Sequence, residues 1–209
     1  MNLILITNPE NISQEPQVVT ALFEHGLERL HLRKPGMSTL EMRKYIEAIP
    51  AHFHKLIVIH SHHRLALTYA LGGIHLTNVH RRRKLSNWLR LRWIKWRRKS
   101  LLITASYHKL NHVYTDKGRY NYVLLGPIFE RPSGKFGNGF NAVSLKTALS
   151  KNAVNVIARG GILPKSMPQL KQLGFAGVAF QQLVWKAADP VKEFLHLAAQ
   201  LRQTEAASE

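Results

Sequence analysis

Eight short apolar runs recur at intervals along the 209-residue chain. Most of these runs are continuous rather than alternating, which is the pattern of strands with two buried faces, as in a parallel sheet. The runs lie at 3–7, 29–33, 56–60, 73–76, 101–106, 122–126, 154–158 and 177–180. The pattern therefore predicts eight buried strands.

Segments with apolar residues at helical spacing separate the predicted strands. The clearest helix start is Ser38 followed by Glu41, because this spacing is that of a capping box. The predicted helices lie at 16–26, 38–49, 63–73, 143–151, 164–174 and 189–203. Eight strands alternating with about eight helices predict a single (β/α)8 TIM barrel over residues 1–203. An open, doubly wound sheet is the alternative, and residues 204–209 are predicted to be a frayed tail.

Composition limits the chemistry and the location of the protein. The absence of cysteine excludes disulfides, thiolate metal sites and a cysteine nucleophile. No apolar run approaches the roughly 18 residues of a membrane span, and the apolar start of the chain is too short for a signal peptide. We therefore expect a soluble, cytoplasmic protein.

The net charge of +18 is concentrated in one segment, since residues 81–99 hold ten lysines and arginines and no acidic residue. An excess of positive charge suits anionic partners. Trp88, Trp93 and Trp96 fall near one stripe of a helix here, so we interpret the segment as a barrel helix with tryptophans on the sheet and a basic outer face. Contact with RNA or an anionic membrane is the alternative.

The site of a TIM barrel lies at the C-terminal ends of its strands. Two glycines, Gly160 and Gly161, follow the seventh predicted strand. They let the backbone approach a ligand closely, and the loops after strands seven and eight often hold a phosphate. We predict a phosphate site here, with a plain tight turn as the alternative. The same rule nominates further strand-end residues, namely Arg33, His60, Thr77, Ser106, Gly126 and Gln181.

Six motifs in fixed order carry a family resemblance, namely "LHLRK", "GGIHL", "ASYH", "YVLLGPIF", "VIARGGI" and "FAGVAF". Over about residues 3–194 the chain resembles thiamine phosphate synthase and the related TenI-like thiazole tautomerases. The resemblance implies an enzyme that joins hydroxymethylpyrimidine diphosphate to thiazole phosphate and releases pyrophosphate. It also implies that phosphorylated thiamine precursors are the partners, and it leaves a homo-oligomer open.

The resemblance assigns roles to individual positions. Arg33, Ser106 and Lys135 match basic and hydroxyl residues that serve catalysis in the family, and Ser133 lies near the hydroxyl residues of the pyrophosphate loop. Four residues stand at the positions that hold the thiazole phosphate, namely Gly160, Gly161, Gln181 and Gln182. The family's second basic residue on strand two would fall at Pro35, so whether Lys34 replaces it stays open.

The Mg2+ that the family implies has no recognisable ligands in this sequence. The metal-binding aspartate after the third strand is replaced by Ser61, its neighbouring asparagine by His60, and no carboxylate follows the fourth strand. Magnesium prefers oxygen ligands and usually one or two carboxylates. We therefore assign no metal ligands, and expect that arginines 81–83 could clamp phosphate instead.

The histidines of "VIHSHHR" leave a second interpretation. In an extended chain His60 and His62 share a face and could hold a softer metal with a distant third ligand, namely His75, His80 or His108. The alternative is that His60 lines an anion pocket and that His62 and His63 cap the next helix. His31 is interpreted as a core histidine whose hydrogen bonds are satisfied.

Three functions follow from the resemblance. The leading hypothesis is the coupling reaction itself. A tautomerase or another isomerase acting on thiazole phosphate is one alternative, although Pro127 stands where the tautomerase has a histidine. A degenerate, non-catalytic phosphate-binding barrel with a basic surface helix is the other, and the missing carboxylates favour it.

Overall fold

The structure is a computed structural model, and it describes residues 1–77, 92–94, 96–130 and 135–206. Several sequence predictions fall on the remaining residues and lie outside the described part of the chain. They are the roles of Ser133, His80, Trp88 and arginines 81–83 and the last three residues of the predicted tail.

Each predicted strand is present near its predicted place. The strands are β1 Asn2–Ile6, β2 Leu30–Leu32, β3 Ile57–Ile59, β4 Gly73–Leu76, β5 Leu102–Tyr107, β6 Tyr122–Leu125, β7 Asn155–Arg159 and β8 Gly177–Phe180. They are neighbours in chain order in one closed barrel of parallel strands. The (β/α)8 prediction is therefore confirmed, and the open doubly wound sheet is excluded.

Helices alternate with these strands. Those with assigned bounds are α1 Glu15–Glu24, α2 Thr39–Glu47, α3 Leu65–Thr68, α4 Leu110–Tyr114, α5 Ala142–Ser150, α6 Met167–Gln172, α7 Gln182–Trp185 and α8 Pro190–Ala206. Two 3-10 helices, Ala51–Leu56 and Pro164–Ser166, precede β3 and α6. Within the described residues, no helix is both long and apolar enough to cross a bilayer.

Helix α8 continues to Ala206, three residues beyond the helix end that the sequence pattern predicts at residue 203. Thr204 is buried, and the Lys171 ammonium donates to the carbonyl oxygens of Thr204 at 3.3 Å and Glu205 at 3.2 Å. The cation caps the end of the helix, so these polar residues are held rather than frayed.

The described part of the basic segment also corrects the sequence interpretation. Residues 92–94 and 96–97 are helical, but Trp93 is 45% exposed and Trp96 is 73% exposed, whereas Ile94 is fully buried. The Arg97 guanidinium lies 5.4 Å from the centre of the Trp93 ring. These two tryptophans therefore lie at the surface, and the aliphatic residue between them faces the core.

The chain forms two compact units. The N-terminal unit is Leu5–Thr104, and the C-terminal unit is Ala105–Glu209 together with Met1–Ile4. In the N-terminal unit, Leu32 lies opposite Ile59 and Ile59 lies opposite Ile74. All three side chains are buried, because these continuous apolar strands are covered on both faces.

The C-terminal unit contains β6, β7 and β8, in which Leu124 lies opposite Ile157 and Ile157 lies opposite Gly177. Helix α8 buries Phe194 and Leu197, which are three residues apart. Three-residue spacing puts both side chains on one face of the helix, and that face covers the core.

The predicted capping box of α2 is present. The Ser38 hydroxyl accepts from the Glu41 amide at 3.3 Å, and the Glu41 carboxylate accepts from the Ser38 amide at 2.7 Å. This reciprocal pair satisfies two backbone donors that have no partner inside the helix.

We expect Ser38→Ala to lower the free energy of unfolding by about 1 kcal/mol, because one of these backbone donors loses its acceptor. Urea unfolding followed by circular dichroism measures the change. Ser150→Ala is the control, since Ser150 lies at the end of α5 and does not cap a helix start. Equal losses in the two variants would contradict a capping role for Ser38.

Candidate functional site

In the C-terminal unit, the segments that follow β6 and β7 are hydrogen-bonded to each other. The Ile128 amide donates to the Arg159 carbonyl at 2.9 Å, and the Phe129 amide donates to the Gly160 carbonyl at 3.2 Å. The motifs "GPIF" and "RGGI" therefore form one piece of structure at the ends of two neighbouring strands.

Both glycines of this structure are required by their surroundings. Gly160 and Gly161 have φ values of +86° and +70°, which side chains rarely adopt. A Cβ on Gly160 would lie 2.7 Å from the Pro127 Cβ, and a Cβ on Gly161 would lie 2.3 Å from the Phe129 carbonyl oxygen. The sequence interpretation explained the glycine pair by a ligand, whereas the structure adds a packing reason that needs no ligand.

Gln181 and Gln182 follow β8 directly, where the sequence placed them. Gln181 is half-buried and Gln182 is exposed, and their carbonyl oxygens accept from the Trp185 and Lys186 amides at 3.2 and 2.9 Å. These bonds form the single turn of α7, so the two residues stand at the start of that helix.

Ser106 and His108 lie at the end of β5 and directly after it. Ser106 is half-buried in the strand. The His108 ring donates from Nδ1 to the Gly126 carbonyl at 2.8 Å, which in the neutral ring leaves Nε2 as an acceptor. The histidine therefore ties the end of β5 to the "GPIF" segment.

Lys135 is exposed and follows the four residues, 131–134, that lie outside the described part of the chain. The Glu130 amide donates to the Lys135 carbonyl at 2.7 Å. Next to them, Phe129 and Phe136 form an antiparallel bridge with stacked rings whose centroids are 5.2 Å apart. Residues 129–130 and 135–136 are thus held together, and the lysine side chain lies at the surface.

In the N-terminal unit, Arg33 follows β2 and is exposed. Its backbone is anchored by Thr7, whose hydroxyl accepts from the Arg33 amide at 2.8 Å and donates to the Arg33 carbonyl at 3.0 Å. The side chain is therefore carried on a fixed backbone.

Lys34, the neighbouring residue, is buried in the core instead. Its ammonium forms an ion pair with Glu15 and donates to the Glu10 carbonyl at 2.6 Å. Burial raises the pKa of Glu15, and the nearby Lys34 lowers it in part. Burial also raises the pKa of Tyr45, with the Glu15 carboxylate adding to it. The ion pair with Glu15 holds the Lys34 cation inside the protein. Lys34 therefore does not replace the basic residue that the family would have at Pro35.

Three buried histidines converge in the same unit. His31 belongs to β2, His60 follows β3, and His75 belongs to β4. The His31 Nδ1 lies 2.9 Å from the His60 Nε2, and the His60 and His75 rings are stacked with centroids 4.0 Å apart. Burial is the main cause that holds the pKa of His60 well below its ordinary value, and His75, His31 and Arg33 add to it. The charged form of the His60 imidazole is thus disfavoured.

His62 and His63 are not part of this cluster. The His62 Nε2 donates to the Met37 carbonyl at 3.0 Å, and its Nδ1 accepts from the Thr39 hydroxyl at 2.9 Å. The His63 Nε2 lies 3.2 and 3.1 Å from the His60 and His75 carbonyls. The alternative in which His60 and His62 share a metal is therefore wrong. The expected capping of the next helix is wrong too, since no side chain caps α3.

The residues near His60 do not fit the Mg2+ that the family implies. Ser61 stands at the position of the family's aspartate, and the side chains that surround His60 are imidazoles. Magnesium prefers hard oxygen ligands, whereas imidazole nitrogen suits transition metals. No step of the chemistry is therefore assigned to Mg2+ here.

Comparisons with known proteins agree with this architecture. The family model of thiamine monophosphate synthase matches residues 3–184, and no protein in the curated set matches the chain. A thiamine phosphate pyrophosphorylase from Bacteroides thetaiotaomicron is 25% identical, with a TM-score of 0.75 and 100% of both chains covered. One from Pyrococcus furiosus is 18% identical, with a TM-score of 0.75, and covers 97% of this chain and 96% of its own.

A third similar structure is (S)-3-O-geranylgeranylglyceryl phosphate synthase from Thermoplasma acidophilum in complex with sn-glycerol-1-phosphate. It is 11% identical with a TM-score of 0.69, and it covers 97% of this chain and 93% of its own. At this identity the likeness shows the barrel fold alone. Because the family model spans most of the chain, the protein belongs to the thiamine monophosphate synthase family.

Proposed function

We propose that the protein joins hydroxymethylpyrimidine diphosphate to thiazole phosphate and releases pyrophosphate. The family supports a function in thiamine synthesis. The observation that carries the specific reaction is the pairing of "GPIF" with "RGGI" at the ends of β6 and β7. Pro127 is packed against Gly160 in this pair, and it stands where a tautomerase would need a histidine.

The reaction breaks the bond between the pyrimidine methylene carbon and the oxygen of the diphosphate. Pyrophosphate leaves with the electron pair, and the thiazole nitrogen then donates its lone pair to the carbocation. Positive side chains favour this step because they stabilise the charge that develops on the leaving group. We assign that role to Arg33 and Lys135, which are both exposed cations in loops.

The remaining positions are assigned to substrate binding. The backbone at Gly160 and Gly161 and at the start of α7 holds the thiazole phosphate. Its amide groups can donate to phosphate oxygens, and the net charge of +18 attracts anions. Ser106 is assigned to the pyrimidine diphosphate, as the family resemblance implies. His60 is assigned to an anion pocket of the N-terminal unit. Ser133 is assigned to the pyrophosphate loop beside Lys135.

A non-catalytic phosphate-binding barrel is the second candidate function. The observation that supports it is Ser61, which stands where the family has a metal-binding aspartate. Such a protein would keep the phosphate-binding backbone and lose turnover, so binding and catalysis need separate measurements.

Formation of thiamine phosphate from the two precursors tests the proposal. We expect turnover by the purified protein without added Mg2+, because the described residues do not form the family's magnesium site. We expect Lys135→Ala and Arg33→Ala each to lower kcat/KM by about 100-fold or more, the usual loss when one charge-stabilising group is removed. Lys117→Ala is the control, since Lys117 is another exposed lysine of the C-terminal unit.

Three outcomes would count against parts of the proposal. Turnover that strictly requires added Mg2+ would contradict the interpretation of the metal site. Equal rates for Lys135→Ala and Lys117→Ala would remove the assignment of Lys135. No turnover, together with retained binding of thiazole phosphate in calorimetry, would support the non-catalytic candidate instead.

A further inference from the structure

Three neighbouring parallel strands bring His31, His60 and His75 together. His31 lies opposite Val58 on β3, and Val58 lies opposite Gly73 on β4. Residues two apart on an extended chain point to the same side. His60 therefore shares the face of Val58, and His75 shares the face of Gly73, so all three imidazoles lie on one face of the N-terminal unit.

The imidazoles lie close enough together to share one metal ion. One ring nitrogen from each histidine lies within 4.8 Å of the other two. Ligand nitrogens on a tetrahedral zinc ion lie about 3.3 Å apart, since each Zn–N bond is about 2.0–2.1 Å. The 2.9 Å contact between His31 and His60 needs to open by only a few tenths of an ångström. The His60 and His75 rings are stacked, so they must turn for their nitrogens to converge on one ion.

Groups behind the imidazoles hold two of them in place. The Thr104 hydroxyl lies 2.8 Å from the His75 Nδ1 and 3.4 Å from the Ile74 carbonyl. A hydroxyl that donates to the carbonyl accepts from the ring, which puts the His75 proton on Nδ1 and makes Nε2 the nitrogen without a proton. His63 also contacts the carbonyls of His60 and His75, so it ties together the backbone that carries both rings.

The donor set indicates the kind of metal. Three imidazoles suit Zn2+, Co2+ or Cu2+, and neither thiolate nor carboxylate belongs to this cluster. Three protein ligands around zinc leave a fourth position open, as in catalytic zinc sites. Arg33 lies two residues after His31, at the end of β2, and so shares its side of the extended chain. Its positive charge favours an anion as the fourth ligand.

We propose that His31, His60 and His75 bind one divalent transition-metal ion of the zinc class, with its fourth position open to an anionic oxygen ligand. This site differs from the family's magnesium site in its ligand atoms. It also stands independently of the proposed coupling reaction, because it rests on the geometry of the three side chains.

Titration with Co2+ tests the site without any substrate. The protein is prepared without a polyhistidine tag and stripped with a chelator. We expect a visible absorption band of tetrahedral cobalt that saturates at one equivalent, and one equivalent of Zn2+ should abolish it. We also expect inorganic phosphate to shift the band, because the fourth position takes an oxygen anion. Saturation at several equivalents or the absence of a tetrahedral band would overturn the proposal, and a band unmoved by phosphate would overturn the open fourth position.

Variants separate this site from adventitious binding by surface histidines. We expect His75→Gln to weaken Co2+ binding by at least about 100-fold, and His52→Gln to leave it unchanged, because His52 is exposed. Thr104→Val keeps all three ligands and should weaken binding by about 10- to 100-fold, the usual effect of losing an outer hydrogen-bond partner. Thermal unfolding checks that each variant is folded. Unchanged binding in both His75→Gln and Thr104→Val would overturn the assignment, even if the protein proved to be an active synthase.

Discussion

Replacement of Lys34 by methionine is expected to lower the free energy of unfolding by about 3–5 kcal/mol at pH 7. Lys34 and Glu15 are an almost fully buried ion pair, and the methionine side chain fills the space without supplying a charge. The Glu15 carboxylate then stays in the core without its cation. Urea unfolding at pH 7 measures the loss, and Lys55→Met, at an exposed position, should change stability by no more than about 0.5 kcal/mol.

The loss should depend on pH in a defined direction. Burial raises the pKa of Glu15 and Lys34 opposes this, so Lys34→Met raises the pKa further. The folded variant then binds a proton more readily than the unfolded chain, and its stability falls as pH rises above about 4.5. The difference in free energy of unfolding between the wild-type protein and Lys34→Met should therefore be smaller at pH 5 than at pH 7.

A double variant tests the origin of this effect. Glu15→Gln combined with Lys34→Met removes both charges of the pair, so most of the stability at pH 7 should return. A double variant as unstable as Lys34→Met alone would show that lost packing, rather than an uncompensated carboxylate, causes the defect.

Gly161→Ala is expected to lower the free energy of unfolding by about 2–5 kcal/mol and to weaken binding of thiazole phosphate. A left-handed backbone costs a non-glycine residue about 1–2 kcal/mol, and overpacking adds about 1–3 kcal/mol. The new Cβ would lie 2.3 Å from the Phe129 carbonyl oxygen, which forces the segments after β6 and β7 apart. Chemical denaturation and calorimetry with thiazole phosphate measure the two effects.

Gly139→Ala provides a matched control for this prediction. Gly139 also has a φ of +70°, but no atom lies within 4 Å of a Cβ added there. The free energy of unfolding of Gly139→Ala should fall only by the backbone contribution of about 1–2 kcal/mol. This variant should also keep its binding of thiazole phosphate. Similar losses at the two positions would show that the contact with Phe129 has no energetic importance.

Much of the fold follows from the pattern of apolar residues. A strand buried on both faces must be apolar throughout, so eight such runs located all eight strands to within about two residues. Local hydrogen bonding fixed the start of α2, because Ser38 and Glu41 interact only with their own helix end. The end of α8 was misplaced, since Thr204 and Glu205 are held by Lys171, which is distant in the sequence.

The candidate site was predictable only in part. The strand-end rule placed Arg33, Gly160 and Gln181 in loops directly after their strands, because that rule needs only the order of the elements. It did not reveal that Lys34, beside Arg33, is held in the core by Glu15. Adjacent residues of a strand end point in opposite directions, so one lysine in "LHLRKP" could not be assigned to solvent or to the core from the sequence alone.

The arrangement of the histidines could not be predicted from the sequence alone. By itself the sequence determined the strands that carry His31 and His75, the strand that His60 follows, and the loss of the family's aspartate at Ser61. Only the tertiary structure decided that His60 joins His31 and His75 rather than its neighbour His62. The physical reason is that strand register and a turn at His62, with a φ of +50°, set the directions of these side chains, and both depend on contacts between distant parts of the chain.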